Sequence, residues 1–206
     1  MLRNTLRTFL NLSTPMAVSA DALPVGQSAS TLNNLQAAFH GESNANARYL
    51  AFASKADEEG YGEVASLFRA AAKAEEIHAR NHAEVIRKLG GEPVLTLDPV
   101  EVKSTRENLT AAAAGEVYER DAMYPEFIEE AKRQNVTAAV RTFTLAMKVE
   151  AIHATLYLDA LEKLEERRGA SHTYYVCPDC GNTLEELTIV KCLICGHPKG
   201  GFIAVN

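Results

Sequence analysis

Two segments of this 206-residue chain carry the same pair of potential metal ligands, a glutamate followed three positions later by a histidine. They are Glu75-Glu-Ile-His78 and Glu150-Ala-Ile-His153. An α-helix has 3.6 residues per turn, so a spacing of three places both side chains of a pair on one helical face. A single pair of this kind is common on helix surfaces, so its meaning depends on what accompanies it.

Two further glutamates, Glu42 and Glu116, complete a possible ligand set. Each lies within a largely apolar helical stripe, where a lone carboxylate is rarely buried. One glutamate from each of two helices, together with Glu-x-x-His from two others, is the ligand set of carboxylate di-metal bundles. Carboxylate oxygens with imidazole nitrogens suit iron or manganese better than structural zinc. The pattern therefore predicts a carboxylate-bridged metal pair that exchanges two electrons with dioxygen or peroxide.

A fifth acid, Glu119, lies one turn beyond Glu116, where the corresponding position of the first half of the chain is Ala45. This asymmetry suggests a ligand that exchanges with His78 between two oxidation states; the alternative is an ordinary surface acid. His82 extends the face of His78 by one turn and is interpreted as a packed or rim side chain, with a place beside the metal ligands as the alternative.

All four cysteines lie in the last thirty residues, as two Cys-x-x-Cys pairs that are each followed by glycine. Two such pairs predict a tetrahedral site with four sulfur ligands, which accepts either zinc or a single iron. The spacing alone favours structural zinc, whereas a neighbouring di-metal site favours iron as an electron-transfer partner. The four ligands are Cys177, Cys180, Cys192 and Cys195.

Four long helical patterns must position the bundle ligands, and the first, second and fourth are predicted at residues 32–59, 63–89 and 136–168. Pro125 is predicted to kink the third. Short connections join the first helix to the second and the third to the fourth, so both pairs should be antiparallel hairpins, with residues 90–104 crossing the bundle. The hairpins also repeat: Phe68–Ala79 aligns without gaps to Phe143–Ala154 with seven of twelve positions identical.

The charge balance and the N-terminus limit the remaining possibilities. A net charge of −6 argues against nucleic acid as a main partner, and no apolar run is long enough to suggest a membrane span. Residues 1–20 carry two arginines and end in a sequence that loosely resembles a cleavage site, but polar residues and Pro15 break the apolar stretch. We therefore expect a flexible extension over residues 1–28 and a cytoplasmic protein, with a targeting segment as the alternative.

With these motifs the chain resembles the rubrerythrins over residues 30–206. The shared segments are Gly41–Tyr49, Gly115–Glu119, Met123–Phe127, both Glu-x-x-His pairs and both cysteine pairs with their glycines. The resemblance implies a mainly α fold: a ferritin-like four-helix bundle with one long crossover, followed by a small rubredoxin-like domain with a four-cysteine metal site. We expect the bundle to span residues 29–168 and the rubredoxin-like domain residues 169–206.

The resemblance also implies residue roles. Two irons would occupy a carboxylate-bridged site, and a third iron, or zinc, would occupy the four-cysteine site. His78 would exchange with Glu119 as an iron ligand, and Tyr49 and Tyr124 would donate hydrogen bonds beside the ligands. The other implied bundle ligands are Glu42, Glu75, Glu116, Glu150 and His153.

The implied function is a non-haem iron peroxidase that reduces hydrogen peroxide to water in defence against oxidative stress. Electrons would come from an external donor such as a rubredoxin or a rubredoxin reductase linked to NAD(P)H. In the family they commonly cross between subunits, which implies a homodimer or a higher homo-oligomer. Two alternatives stay open: a ferroxidase or other iron-handling protein, and a zinc-stabilised interaction protein with a vestigial bundle site.

Overall fold

The computed structural model describes residues 29–206, so the predicted N-terminal extension at residues 1–28 lies outside the described part. The first 134 described residues form four long antiparallel helices, the third of them in two pieces joined by a π-helical turn. The predicted four-helix bundle with one long crossover is thereby confirmed. The helices are α1 (Ala29–Glu58), α2 (Gly62–Lys88), α3 (Thr105–Tyr118), α4 (Tyr124–Arg133) and α5 (Thr137–Glu162).

Short turns close the two hairpins. Gly60, with φ +81°, lies in the turn between α1 and α2, and Asn135, with φ 58°, lies between α4 and α5. Both are residue types that enter the left-handed region at low cost. The crossover contains neither helix nor strand. It ends where the Ser104 side chain accepts from the Glu107 backbone amide and the Glu107 carboxylate accepts from the Ser104 amide, a capping box that starts α3.

The third long helix departs from the α-helical pattern at Glu119–Met123, which forms the π-helical turn. Pro125, predicted to kink this helix, lies in the first turn of α4, and the carbonyl four positions earlier, which a proline ring crowds, belongs to Asp121 of the π-helical turn. The irregularity therefore precedes the proline and is a widened turn. Such turns are frequent at functional sites because they re-aim the side chains beside them, and this one begins at Glu119.

The bundle core is divided by a layer of buried glutamates and histidines. On one side an apolar cluster includes Phe52, Phe68 and Tyr157. On the other side a second cluster includes Leu35 and Phe143. Each of the four long helices contributes to both clusters and carries its glutamate between them. Apolar packing above and below thus holds the charged layer in place.

The C-terminal module, residues 169–206, contains a three-stranded antiparallel sheet in the order β2-β1-β3. The strands are β1 (Tyr174–Val176), β2 (Thr183–Leu184) and β3 (Ile203–Val205). Tyr174 and Val176 pack within the bundle's first apolar cluster, so the sheet lies directly on the helices. The boundary predicted at residues 168 and 169 stays a prediction.

Polar contacts also hold the module against the bundle. Arg167 makes ion pairs with Glu63 of α2, Asp159 of α5 and, at 3.5 Å, Glu185 of the module. A Cβ atom at Gly62 would lie 2.3 Å from the backbone oxygen of Gly169, so only glycine permits the connecting segment to approach α2 this closely. Between residues 29 and 206, no helix combines the length and apolarity that crossing a membrane requires.

Candidate metal centres

Two overlapping sets of buried side chains lie at the centre of the bundle. Within each set, one potential ligand atom from every residue lies within 4.8 Å of the others. Group one comprises Glu42, Glu75, His78 and Glu150, and group two comprises Glu75, Glu116, Glu150 and His153. Glu75 and Glu150 belong to both groups, as expected for carboxylates that bridge two ions. The two groups join every predicted bundle ligand except Glu119.

The histidine Nδ1 atoms face the shared carboxylates. His78 Nδ1 lies 2.9 Å from one oxygen of Glu75 and 2.9 Å from one oxygen of Glu150. His153 Nδ1 lies 3.2 Å and 3.0 Å from the other oxygens of the same two residues. Ligand atoms that each lie roughly 2.1 Å from one ion are separated by about 3 Å when they are at right angles. The spacing therefore suits two neighbouring ions.

Several buried polar atoms in this layer have no hydrogen-bond partner among the described residues. The four glutamates are at most 1% exposed, so water does not readily replace the missing partners. Unpartnered buried oxygens are costly, and a bound cation would satisfy them. Glu42 Oε2 and Glu116 Oε2 have no such partner. The contacts of 2.9–3.2 Å that Glu75 Oε1, both oxygens of Glu150 and His153 Nδ1 make within the layer are not aligned as hydrogen bonds. The donor set therefore fits a pair of metal ions.

Glu42 and Glu116, the outer glutamates, each belong to one group only. Their electrostatics also indicate bound cations. Burial raises the pKa of Glu42 and of Glu116 well above its usual value, and the charges of Glu75 and Glu150 raise both further. Within the described residues His78 opposes this effect at Glu42 and His153 opposes it at Glu116, but the pKa of each carboxyl stays raised, so further positive charge is needed to ionise both. Two divalent cations would supply it and would favour the ionised, metal-binding form of each carboxylate.

Two tyrosines hold the outer glutamates. Tyr49 donates a hydrogen bond to Glu116 Oε1, and Tyr124 donates one to Glu42 Oε1. In each case the bonded oxygen faces the tyrosine and the other oxygen is unpartnered. The two tyrosines were predicted beside the ligands, and the structure places them symmetrically at the two ends of the site.

Glu119 lies at the start of the π-helical turn, half-buried and outside both groups. Burial raises its pKa well above the usual value, and the charges of Glu42 and Glu116 raise it further, so it is close enough to sense the site. Its predicted exchange with His78 is not tested by this arrangement and stays a prediction.

The four cysteines of the module converge on one point. Cys177 Sγ lies 3.5 Å from Cys195 Sγ, and Cys180 Sγ lies 3.6 Å from Cys192 Sγ. These distances exceed the 2.05 Å or so of a disulfide and approach the edge of about 3.8 Å expected for a tetrahedron with metal–sulfur bonds of about 2.3 Å. The geometry therefore supports the predicted four-sulfur site.

The module's cysteine loop touches the histidines of the bundle. His78 Nε2 lies 3.0 Å from the backbone oxygen of Cys180, and His153 Nε2 lies 3.0 Å from Thr183 Oγ1. Gly181 comes so close that an added Cβ would lie 2.7 Å from His78 Nε2. Sequence reasoning missed these contacts, since a backbone carbonyl leaves no signal in the residue pattern.

Sequence reasoning also missed the hydrogen bonds of a second histidine of α2. His82 is fully buried, and its Nε2 lies 3.1 Å from the Tyr124 hydroxyl while its Nδ1 lies 3.1 Å from Thr142 Oγ1. It was interpreted as a packed or rim side chain. Its position one turn beyond His78 was the available signal, but its partners lie 42 and 60 positions away in sequence.

Comparison with known proteins gives consistent results. Residues 33–161 match the model of the Rubrerythrin family. The chain is 39% identical over 176 residues to nigerythrin of Nitratidesulfovibrio vulgaris, covering 85% of this chain and 86% of that protein. It is 36% identical over 180 residues to rubrerythrin-2 of Clostridium acetobutylicum, covering 86% and 98% respectively. A solved structure of fully reduced, all-ferrous nigerythrin superposes with a TM-score of 0.79 and 35% identity over 96% of this chain and 100% of that one.

Proposed function

Since the chain belongs to the rubrerythrin family and is thereby an iron-dependent oxidoreductase of oxidative-stress defence, we propose that it reduces hydrogen peroxide to water. The reaction consumes one peroxide, two electrons and two protons and releases two waters. It would take place at the di-iron centre, with electrons entering through a rubredoxin-like iron at the four cysteines.

We assign the ligands by group. His78 and Glu42 would hold one iron, His153 and Glu116 would hold the other, and Glu75 and Glu150 would be shared by both. This assignment is supported by the shared membership of the bridging residues and by the unpartnered oxygens that face the centre. Glu119 is assigned as the ligand that exchanges with His78 when the oxidation state changes. The four-sulfur site is assigned to Cys177, Cys180, Cys192 and Cys195.

The contact between His78 and Cys180 carries the proposal of electron transfer. One imidazole nitrogen faces the bridging carboxylates, and the other lies 3.0 Å from the carbonyl oxygen of a cysteine in the four-sulfur site. A single side chain therefore spans the two candidate centres. The contact joins two parts of one chain, so it does not require the crossing between subunits that the resemblance implies.

The protein's own residues prepare the site for this reaction. An iron pair held there would supply the two electrons that the reduction of peroxide consumes. Tyr49 and Tyr124 fix the orientation of Glu116 and Glu42, and the two apolar clusters limit the access of water to the charged layer. An arrangement held in advance needs little reorganisation when charge moves.

The partners follow from the same scheme. We infer an external donor of the rubredoxin or rubredoxin-reductase type, ultimately linked to NAD(P)H, and a homodimer or higher homo-oligomer. A cytoplasmic location is supported by the four-sulfur site, which needs its cysteines reduced, because the cytosol keeps thiols reduced.

The test is anaerobic reduction of the iron-loaded chain followed by rapid mixing with either peroxide or dioxygen. We expect peroxide to reoxidise both centres much faster than dioxygen does, with the visible absorbance of the iron–sulfur site returning. Failure of peroxide to reoxidise the protein would contradict the proposal. Metal analysis of the same sample distinguishes iron from zinc. The visible spectrum gives a second check, since a zinc-filled four-sulfur site is colourless.

The size of the assembly and the amount of iron taken up per chain distinguish the ferroxidase alternative from the peroxidase. Iron storage requires a large hollow shell, so light scattering that showed a 24-subunit particle would favour it. Continued uptake of ferrous iron beyond the metal-centre stoichiometry, without any reductant, would favour it as well. A small oligomer that turns over peroxide only while a reductant is present supports the peroxidase.

A further inference from the structure

We propose that His82 and Thr142 form a proton relay that connects a surface cavity to Tyr124 and Glu42 at the di-metal site. This inference rests on the proposed function, because peroxide reduction consumes protons that must reach a closed site. Neither residue belongs to the ligand groups or to the predicted site.

The relay is a continuous series of hydrogen bonds. Glu42 accepts from the Tyr124 hydroxyl, the Tyr124 oxygen lies 3.1 Å from His82 Nε2, and His82 Nδ1 lies 3.1 Å from Thr142 Oγ1. Glu42, Tyr124 and His82 have no measurable exposure, and Thr142 is 8% exposed. Among these four residues, contact with solvent is confined to the threonine.

The chemistry of the donors sets the direction of each bond. A tyrosine hydroxyl has one proton, and this proton is used on Glu42, so the Tyr124 oxygen accepts from His82 Nε2–H. A neutral imidazole with a proton on Nε2 accepts at Nδ1, so Thr142 Oγ1–H is the donor there.

The outer end of the relay opens into a surface cavity of about 440 Å³ between α2, α5 and the cysteine loop. Thr142 is among its lining residues. Charged and polar side chains surround this opening and suit a water-filled space. They are Arg80, Asn81, Glu84, Lys88, Arg141 and Asp179.

One series of transfers along the relay moves one proton from the cavity to Glu42. The Tyr124 O–H proton passes to Glu42, the His82 Nε2 proton passes to Tyr124, and the Thr142 hydroxyl proton passes to His82 Nδ1. A water in the cavity restores the Thr142 hydroxyl proton and is itself restored by a proton from solvent, so Thr142, His82 and Tyr124 keep their charge and the net result is one solvent proton delivered to the Glu42 oxygen that faces Tyr124. The series leaves His82 with its proton on Nδ1, and the ring must return to the first tautomer before it can act again.

Thr142→Val and Thr142→Ser form a matched pair that tests the relay. Valine has nearly the same shape but no hydroxyl, whereas serine keeps the hydroxyl. In the reduced, iron-loaded chain we expect Thr142→Val to slow reoxidation by peroxide by about tenfold or more, with a larger effect of D2O, and Thr142→Ser to stay near the unmodified rate. Equal rates for the two variants would overturn the relay.

His82→Gln separates a relay from simple positioning. The glutamine amide can donate to Tyr124 and accept from Thr142, but it does not pass a proton from one end to the other. We expect unchanged iron content with reoxidation as slow as in Thr142→Val. If His82→Gln is as fast as the unmodified chain, His82 only positions Tyr124 and the relay is wrong.

A measurement without turnover makes the outcome independent of peroxidase activity. In the zinc-loaded chain, 15N NMR follows the exchange of the His82 Nε2 proton with water, and we expect this exchange to be about tenfold slower in Thr142→Val than in Thr142→Ser. Equal exchange would overturn the relay. If peroxide fails to oxidise even the unmodified chain, the proposed function fails, and the exchange comparison still decides the relay.

Discussion

His78 and Cys180 are joined by a 3.0 Å hydrogen bond from the imidazole Nε2 to the backbone carbonyl oxygen, although 102 positions separate them in the chain. Because a carbonyl oxygen can only accept, Nε2 carries the proton and Nδ1 is free to bind a metal. The cysteine loop thus selects the metal-binding tautomer of His78. Thr183 occupies the equivalent position beside His153, 3.0 Å from its Nε2.

Substitution of Gly181 should interrupt this contact. An alanine Cβ there would lie 2.7 Å from His78 Nε2, so the cysteine loop must move away from the imidazole. We expect Gly181→Ala to slow electron transfer from the four-sulfur site to the di-iron centre by about tenfold or more. Rapid mixing that follows the visible absorbance of the iron–sulfur site measures this rate.

Gly196 provides the matched control, since it follows the second cysteine pair as Gly181 follows the first. Its φ of +86° is close to the +79° of Gly181, so alanine brings similar backbone strain, roughly 1–2 kcal/mol, at both positions. A Cβ at Gly196 meets no atom of residues 29–206 within 4 Å. We expect Gly196→Ala to transfer electrons at nearly the normal rate, and equal slowing in both variants would contradict a route through His78.

Iron stoichiometry should distinguish the shared glutamates from the outer ones. Glu75 belongs to both ligand groups, whereas Glu42 belongs only to group one. We expect Glu75→Gln to weaken binding of both bundle irons and Glu42→Gln to weaken one, because neutralising a carboxylate removes charge from each ion it contacts. Iron titration of the metal-free chain measures the two outcomes, and identical losses would contradict the bridging assignment.

The parts of the site that follow helical periodicity were predictable from sequence. Glu75 with His78 and Glu150 with His153 share a face because of their spacing, and the internal repeat implies that the two pairs meet. The spacing of the cysteines likewise indicates four sulfurs around one metal. In each case a local rule of chain geometry determines the result.

Contacts made by tertiary packing were not predictable in the same way. Whether the Cys180 carbonyl reaches His78 depends on how the C-terminal module docks, and docking depends on Tyr174, Gly62 and Arg167 together. The π-helical turn beginning at Glu119 has no periodic signal, and it separates this residue from the two groups.

The ion pairs of Asp159 should make the stability of the fold sensitive to acid. Hydrogen bonds from Lys163 and Arg167 lower the pKa of Asp159 below its usual value. A lowered pKa in the folded state stabilises the fold above the unfolded-state value of about 3.9, and this contribution is lost as the pH falls through the folded-state pKa. We expect Asp159→Asn to lower the free energy of unfolding by up to about 1 kcal/mol at neutral pH, since the carboxylate is partly exposed.

The difference between Asp159→Asn and the unmodified chain should therefore begin to shrink as the pH falls below about 3.9. It should approach zero below the lowered folded-state pKa, where the unmodified aspartate is neutral in the folded state as well. Urea unfolding at a series of pH values measures it. Glu162→Gln, at the same end of α5, removes the same charge without a described ion pair to Lys163 or Arg167 and should show little difference at any pH. A difference for Asp159→Asn that does not depend on pH would exclude the ion-pair explanation.

Two buried tyrosines in contact with each other give the final comparison. The rings of Tyr49 and Tyr157 lie 5.5 Å apart in the same apolar cluster, but only the Tyr49 hydroxyl has a hydrogen-bond partner, Glu116, within the described part of the chain. We expect Tyr49→Phe to leave an oxygen of Glu116 unsatisfied and to lower the free energy of unfolding by about 1–3 kcal/mol. Tyr157→Phe removes a hydroxyl that has no partner among residues 29–206, and it should be neutral or slightly stabilising. Urea unfolding at equal iron content checks both values; equal destabilisation would show that the hydrogen bond to Glu116 contributes nothing beyond the packing of the ring.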